Sequence, residues 1–145
     1  MTLLYEFKDI HNVAKPLISK NFYDKCQHYQ NELEDMIEYD RDYEIDYFGF
    51  KTLERAYLNR INGIIVERIQ HLWMRVSLAI HGSNLEKVKE SYDYISQKYF
   101  THATPTLYNA GSNHNQLSSC FLLAMESDSI NGCLLYTSPS PRDSA

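Results

Sequence analysis

Apolar residues recur every three or four positions over most of the first hundred residues, a spacing that predicts a series of amphipathic helices. The clearest stripe follows Ser19, a residue type that caps helix N-termini, and runs to Ile37. The positions on this predicted face are Phe22, Cys26, Tyr29, Leu33, Met36 and Ile37. Cys26 is therefore predicted to lie in the core, whereas His28 lies off the stripe and is predicted to be solvated. The acidic stretch 38–44 ends the helix and is interpreted as a solvated connection.

Three more helices are predicted before residue 100. One follows Gly49 and ends at Asn62-Gly63, a favourable C-cap pair. Its expected inward positions are Phe50, Leu53, Tyr57, Leu58 and Ile61. The next helix runs from about Val66 to Ile80 with Trp73 as its core anchor, and the last begins at a capping box in residues 83–86. The sequence therefore predicts a mainly α fold.

Residues 101–115 interrupt this pattern and are rich in turn formers. Pro105 is expected to hold Thr104 in an extended conformation, because the proline ring disfavours helical geometry at the preceding residue. The next ten residues, 116–125, form an almost uncharged apolar run that favours a strand buried on both faces. Cys120 lies in that run, where a lone cysteine is most often a small apolar core residue.

Composition and charge narrow the classes of partner. A net charge of −5 and a pI near 5.6 give no basic surface for nucleic acid, so a protein or nucleotide partner is expected. No apolar segment approaches the roughly 20 residues that span a bilayer and no signal sequence is visible, so the chain is predicted to be intracellular and not membrane-bound. Cys26, Cys120 and Cys133 form neither a CxxC metal pair nor a disulfide scaffold, and no HExxH pattern occurs. No metal site is predicted.

Three sequence blocks resemble the large catalytic subunit of class I ribonucleotide reductase, especially its eukaryotic and viral forms. The first block is DYFGFKTLER at 46–55. The second consists of ER at 67–68, QH at 70–71 and MRV at 74–76. The third is FTHATPTLYNAGSNHNQLSSCFLLAMESDSI at 100–130. The third block is the most specific of the three. The resemblance extends from about Ser19 to Asn131.

This resemblance implies both a fold and a domain organisation. Residues 1–100 correspond to a helical N-terminal subdomain, and residues 101–132 to a loop and the first strand of the family's ten-stranded α/β barrel, here truncated. The Ser/Pro-rich tail 133–145 lies outside the resemblance and is interpreted as disordered or artefactual sequence. The radical-bearing cysteine, the second redox cysteine and the other barrel strands are expected downstream, and the N-terminal ATP-binding cone is also missing. The chain is therefore interpreted as a fragment that does not reduce nucleotides by itself.

The resemblance also assigns roles to individual residues. Cys120 is implied to be one half of a redox-active cysteine pair that reduces the ribose 2′ carbon, which replaces the interpretation as a core residue. Thr104 and Ser119 are implied to contact the nucleoside diphosphate substrate, largely through its phosphates. In a regular strand Ser119 and Cys120 point to opposite faces. Either the strand begins or bulges at this point, or Ser119 contributes through its backbone.

An allosteric site for ATP or a deoxynucleotide effector is implied to begin just beyond the cysteine. Its residues are Asp128, Ser129 and Ile130, and the Asp128 carboxylate is suited to accept a hydrogen bond from a sugar hydroxyl. This site sets substrate specificity in the family. The departure from the family pattern after Gly132 removes a helix and loops that the complete effector site requires.

The implied complete enzyme is a cytoplasmic homodimer of large subunits that converts ribonucleoside diphosphates to deoxyribonucleoside diphosphates for DNA synthesis. Its thiyl radical is generated with a metal-containing small subunit, and thioredoxin or glutaredoxin reduces its cysteines again. The fragment itself is expected to bind no cofactor and no metal. Two alternatives stay open: a free-standing helical interaction module with Cys120 in its core, and a related glycyl-radical reductase. The native sequence beyond Gly132 would decide between them.

Overall fold

The computed structural model describes residues 1–8, 11 and 13–120 and shows a mainly helical fold with one small sheet. In chain order its elements are α1 (Thr2–Tyr5), α2 (Lys20–His28), α3 (Gln30–Met36), a 3₁₀ helix (Tyr39–Glu44), α4 (Tyr47–Ala56), β1 (Arg60–Ile61), β2 (Ile64–Ile65), α5 (Ile69–His81), α6 (Leu85–Ser96) and α7 (Thr104–Asn109). The helical character predicted for the first hundred residues is confirmed. The remainder of the predicted barrel strand, 121–125, lies outside the described residues.

Helix α5 is the centre of the core and is buried on nearly all sides. It packs chiefly against α6, and the 3₁₀ helix and α7 also contact it. Trp73, in the middle of α5, is 6% exposed, which confirms its predicted role as a core anchor. Val88 and Tyr92 of α6 are completely buried against it. In the part of the chain that the structure describes, none of the helices combines the length and the apolar character that crossing a bilayer requires.

Side-chain caps fix where several of these helices begin. The Ser19 hydroxyl accepts a hydrogen bond from the Phe22 amide at 3.3 Å, which confirms the predicted start of α2. The predicted capping box before α6 is wrong in detail. Asn84 is the N-cap, and its side chain accepts from the Lys87 amide at 3.2 Å.

The long helix predicted from Ser19 is divided at Tyr29 into α2 and α3. Tyr29 has φ −105° and ψ 22°, outside helical geometry. Both halves still turn the predicted face inward, with Cys26 and Leu33 buried. His28 is exposed, as predicted.

Asn62-Gly63 is a hairpin turn and not a helix C-cap. Strands β1 and β2 pair antiparallel on either side of it, with Ile61 opposite Ile64. Asn62 and Gly63 have φ of 50° and 81°, the positive values that make this pair a preferred two-residue hairpin turn. Helix α4 therefore ends at Ala56, earlier than predicted. Phe50, predicted to face inward, is 39% exposed.

The acidic stretch 38–44 contains no buried residue, in keeping with its interpretation as a solvated connection, but it is also docked onto the helices. Arg41 Nη1 donates to Asp93 Oδ1 of α6 at 2.8 Å. Asp42 accepts hydrogen bonds from Arg68 at 2.9 Å and from Gln70 at 3.0 Å, at the start of α5. Arg41 and Asp42 thus have partners that are distant in sequence.

Candidate functional site

Thr104, the predicted substrate-contacting threonine, is the first residue of α7. The expectation that Pro105 would keep it extended is wrong, and the extended residue is Ala103, the N-cap, with φ −66° and ψ 157°. Proline is tolerated in the first turn because its missing N–H has no acceptor there. Thr104 is exposed, and its Oγ1 lies 3.1 Å from the hydroxyl of Tyr57. The threonine hydroxyl is therefore presented to solvent beside a second hydroxyl.

The other end of α7 is held by Arg75, an α5 residue that is only 2% exposed. Its Nη1 donates to the Ala110 carbonyl at 2.6 Å, and its Nη2 donates to the Leu107 carbonyl at 3.0 Å. A cation is favourable at this position because the free carbonyls at a helix C-terminus carry partial negative charge. The Arg75 guanidinium also pairs with Glu67, with 2.7 Å between Nε and Oε1. A buried ion pair thus connects α5 to the end of α7.

Side chains of α7 bind the segment that follows it. Thr106 Oγ1 donates to the Leu117 carbonyl at 2.8 Å, and Asn109 Nδ2 donates to the Gln116 carbonyl at 2.7 Å. These two bonds bring the chain back against α7 immediately before Ser119 and Cys120. The candidate residues on either side of the turn therefore share one helical support.

Gly111 makes the tight turn after α7 possible. Its φ of +80° is unfavourable for other residues, and a Cβ at this position would lie 3.1 Å from the ring of Phe22. The Gly111 carbonyl also accepts a hydrogen bond from the Ser19 amide at 2.9 Å. The start of α2 and the end of α7 consequently pack at one point.

Ser119 and Cys120 are both exposed, and their side chains touch each other. The Ser119 hydroxyl donates to Cys120 Sγ at 3.7 Å. Residues 116–120 have no regular secondary structure, so the predicted buried strand is wrong over this range. Because the pair is not in a regular strand, its side chains need not point to opposite faces. The exposure of Cys120 also contradicts the alternative in which this thiol fills the core.

Cys26, unlike Cys120, is a buried thiol. It is 8% exposed within the core, and burial raises its pKa to about 11. Since the thiolate is the nucleophile, this cysteine is chemically quiet at neutral pH. Its prediction as a core residue is confirmed.

We expect the two described cysteines to differ sharply in alkylation by iodoacetamide. At pH 8 a thiol of pKa about 11 is roughly one-thousandth thiolate, so Cys26 is expected to stay unmodified while exposed Cys120 reacts. Raising the pH increases the Cys26 thiolate about tenfold per unit until the pH nears its pKa. Peptide mapping of the native chain after timed alkylation measures both rates, and unfolded chain is the control. Equal native rates at the two cysteines would refute the assignment.

Glu67 and Arg75 are the supporting residues that the sequence analysis missed. A helical i,i+4 spacing pairs Glu67 with His71, but the structure pairs Glu67 with Arg75 and places His71 Nε2 3.1 Å from the Tyr39 hydroxyl. Glu67 precedes Arg68, the N-cap of α5, so helical spacing gave no signal for its pairing with Arg75. Tyr57 was predicted as a core residue, and its contact with Thr104 had no sequence signal.

The predicted effector residues lie outside the described residues. These residues are Asp128, Ser129 and Ile130. Among residues 1–8, 11 and 13–120, no group of three or more histidine, cysteine, aspartate or glutamate side chains has an arrangement that could hold a metal ion.

The fold and the candidate site together define a mainly α domain in which α7 supports an exposed, cysteine-bearing segment. The family described as "Ribonucleotide reductase, all-alpha domain" matches residues 43–115, about half of the chain. The chain belongs to this family.

Curated relatives extend the similarity over most of the chain. A ribonucleoside-diphosphate reductase large subunit of Plasmodium falciparum is 55% identical over 129 residues, which is 89% of this chain. The large chain 2 of Saccharomyces cerevisiae is 56% identical over 117 residues, 81% of this chain, and the Dictyostelium discoideum large subunit is 55% identical over 121 residues, 83% of this chain. The chain spans only 14–16% of the length of these relatives.

Proposed function

We propose that this chain is part of the large subunit of a ribonucleoside-diphosphate reductase, and that Cys120 is one of the two thiols that reduce the substrate. The observation that carries this proposal is the exposed Ser119-Cys120 pair, with Oγ and Sγ 3.7 Å apart, on a segment bound to the helix of Thr104. The matched relatives are named as ribonucleoside-diphosphate reductase large subunits or chains. A core cysteine would not be exposed at the end of an anchored segment.

In the proposed reaction, the ribose 2′ hydroxyl leaves as water and the 2′ carbon gains hydrogen. Two cysteine thiols supply two electrons and two protons and become one disulfide. Cys120 is one of these thiols, and its exposed Sγ is open to substrate and to an external reductant. The second thiol and the radical-bearing cysteine are expected elsewhere in the complete subunit.

Thr104 and Ser119 are proposed to bind the diphosphate of the substrate. Each hydroxyl is exposed, and its single O–H can turn to donate to a phosphate oxygen, which for Ser119 replaces the bond to Cys120 Sγ. The Tyr57 hydroxyl, 3.1 Å from Thr104 Oγ1, can either orient the threonine or offer a further donor. Anchoring through α7 keeps these groups on one support as substrate enters.

The partners follow from the same proposal. A small metal-containing subunit supplies the radical, thioredoxin or glutaredoxin reduces the disulfide after each turnover, and two large subunits form a homodimer in the cytoplasm. ATP or a deoxynucleotide is proposed to regulate the enzyme at a site that begins with Asp128, Ser129 and Ile130.

A single turnover without external reductant tests this function. The complete, pre-reduced large subunit receives substrate, effector and small subunit, and free thiols are then alkylated and mapped. Cys120 is expected to leave the alkylatable pool in step with deoxynucleotide formation, because it becomes part of the disulfide. Cys26 is the internal control and should be recovered unchanged after unfolding.

The 145-residue chain under the same conditions is the negative control and is expected to form no deoxynucleotide. Product formed while Cys120 remains fully alkylatable would exclude it as the reductant. Product formed by the 145-residue chain alone would show that the expected downstream residues are not required.

A further inference from the structure

We infer that the buried Glu67–Arg75 ion pair is a positioning device for the candidate site. It fixes α7, and through α7 the Ser119-Cys120 segment, relative to the central helix α5. This inference rests on the proposed function, because Thr104, Ser119 and Cys120 have roles only there. Neither Glu67 nor Arg75 is expected to touch substrate.

The guanidinium of Arg75 binds Glu67 on one side and the end of α7 on the other. Nε and Nη2 lie 2.7 and 3.3 Å from the two carboxylate oxygens of Glu67, while Nη1 and Nη2 reach the carbonyls of Ala110 and Leu107 at 2.6 and 3.0 Å. The guanidinium is planar and its donors have fixed directions. The position of the carboxylate therefore determines where the end of α7 can lie.

Glu67 is itself held from the other side. Its Oε2 accepts from the backbone amide of Asn59 at 3.1 Å and from the Asn59 side chain at 2.9 Å, just before the β1–β2 hairpin. Glu67 is 4% exposed and Arg75 is 2% exposed, so water does not replace these partners. A continuous series of hydrogen bonds thus runs from the hairpin to α7.

From α7 the same series continues to the cysteine segment. Thr106 and Asn109 hold the carbonyls of Leu117 and Gln116, two and three residues before Ser119. A shift of α7 consequently moves Thr104 and the Ser119-Cys120 segment together. Apolar side chains could fill the space of an ion pair without its desolvation cost. They could not direct hydrogen bonds to the carbonyls of the helix that supports the site.

The test is Arg75→Lys in the complete large subunit. Lysine keeps the positive charge but cannot bind Glu67 and two carbonyls in the fixed geometry of a guanidinium. We expect the KM for ribonucleoside diphosphate to rise and turnover to fall, with kcat/KM reduced by up to about 10²-fold, as for small misplacements of reacting groups. In Arg75→Lys, the alkylation rate of Cys120 and the amide exchange rates over residues 104–117 should both differ from the wild-type values.

Arg68→Lys is the matched control, because Arg68 is exposed and its guanidinium pairs with Asp42 at 2.9 Å and lies 4.7 Å from the Tyr39 ring, and neither partner belongs to α7. It is expected to leave KM, turnover and Cys120 alkylation unchanged. A merely structural role for Arg75 predicts a lower melting temperature with unchanged KM and unchanged Cys120 alkylation in the folded fraction. That result would overturn the inference.

Glu67→Gln provides the second variant should Arg75→Lys not fold, because glutamine keeps the shape and one acceptor oxygen. It is expected to change KM and amide exchange over 104–117 in the same direction as Arg75→Lys does. Glu54→Gln, at the surface pair with Lys51, should change neither quantity. Wild-type values in Glu67→Gln would also reject the inference. The single-turnover mapping of Cys120 tests the proposed function separately, since it uses the wild-type protein, and the exchange measurement does not depend on turnover.

Discussion

Cys120→Ser in the complete large subunit is expected to abolish ribonucleotide reduction while the protein remains folded and binds substrate. A serine hydroxyl cannot form the disulfide that accompanies each turnover. In the 145-residue chain Cys120 is exposed, so there the substitution buries no new polar group and should change the free energy of unfolding by less than about 0.5 kcal/mol. Deoxynucleotide formation and substrate binding are to be measured on the same preparation.

Cys26→Ser is the matched control for this prediction. The same atom is replaced at a site that is 8% exposed, where a hydroxyl without a partner costs about 1–3 kcal/mol of stability. The folded enzyme should nevertheless keep its turnover, because Cys26 lies in the core and not at the candidate site. Turnover near wild type in Cys120→Ser would remove the catalytic role of this thiol, whatever the control shows.

The helices could be predicted from the sequence because their signals are local. Apolar residues at helical spacing identified Leu33 and Trp73 as core positions, and the Ser19 cap needed only the residues of the next turn. The hairpin was missed because Asn62-Gly63 is compatible with both a helix end and a two-residue turn. The choice depends on whether two short strands can pair across it, which is not a property of the dipeptide.

The docking of the acidic 3₁₀ helix was missed for a related reason. Alternating charges beside tyrosines are typical of a solvated surface, but Arg41 finds Asp93 and Ser96 more than fifty positions along the chain. Tyr92 adds a further contact, with its hydroxyl accepting from the Glu38 amide at 2.9 Å and donating to Gln70 at 2.8 Å. Local sequence contains no information about such distant partners.

The candidate site came from the family resemblance and not from periodicity. The apolar run around Cys120 predicted burial, because a run of this kind is typical of a strand inside a sheet. In the structure, residues 116–120 are instead exposed or half-buried and lie outside any strand. The supporting pair could not be predicted either, since Arg75 reaches carbonyls 32 and 35 positions away. The resemblance therefore supplied the candidate reacting residues, and the structure was needed to identify what holds them.

The Glu67–Arg75 pair is also expected to have the largest effect on stability. In the 145-residue chain, Arg75→Met should lower the free energy of unfolding by about 3–5 kcal/mol, the usual loss when one partner of a buried ion pair is removed. The Glu67 carboxylate would remain buried without its cation, and the carbonyls of Leu107 and Ala110 would lose their donor. The free energy of unfolding of a small domain is only about 5–15 kcal/mol in total, so this loss is large.

A double variant separates the charge from the hydrogen bonds to α7. Glu67→Leu combined with Arg75→Met removes the unpaired carboxylate but leaves the Leu107 and Ala110 carbonyls without Arg75, so stability should recover in part. Urea unfolding of the wild type, both single variants and the double variant gives the coupling energy, expected at about 1–3 kcal/mol for contacting residues. Arg68→Met, at the surface pair, is the control and should change stability little, because exposed ion pairs contribute at most about 1 kcal/mol. If Arg75→Met unfolds at the same urea concentration as Arg68→Met, the pair does not hold α7 against α5, and the positioning role loses its structural basis.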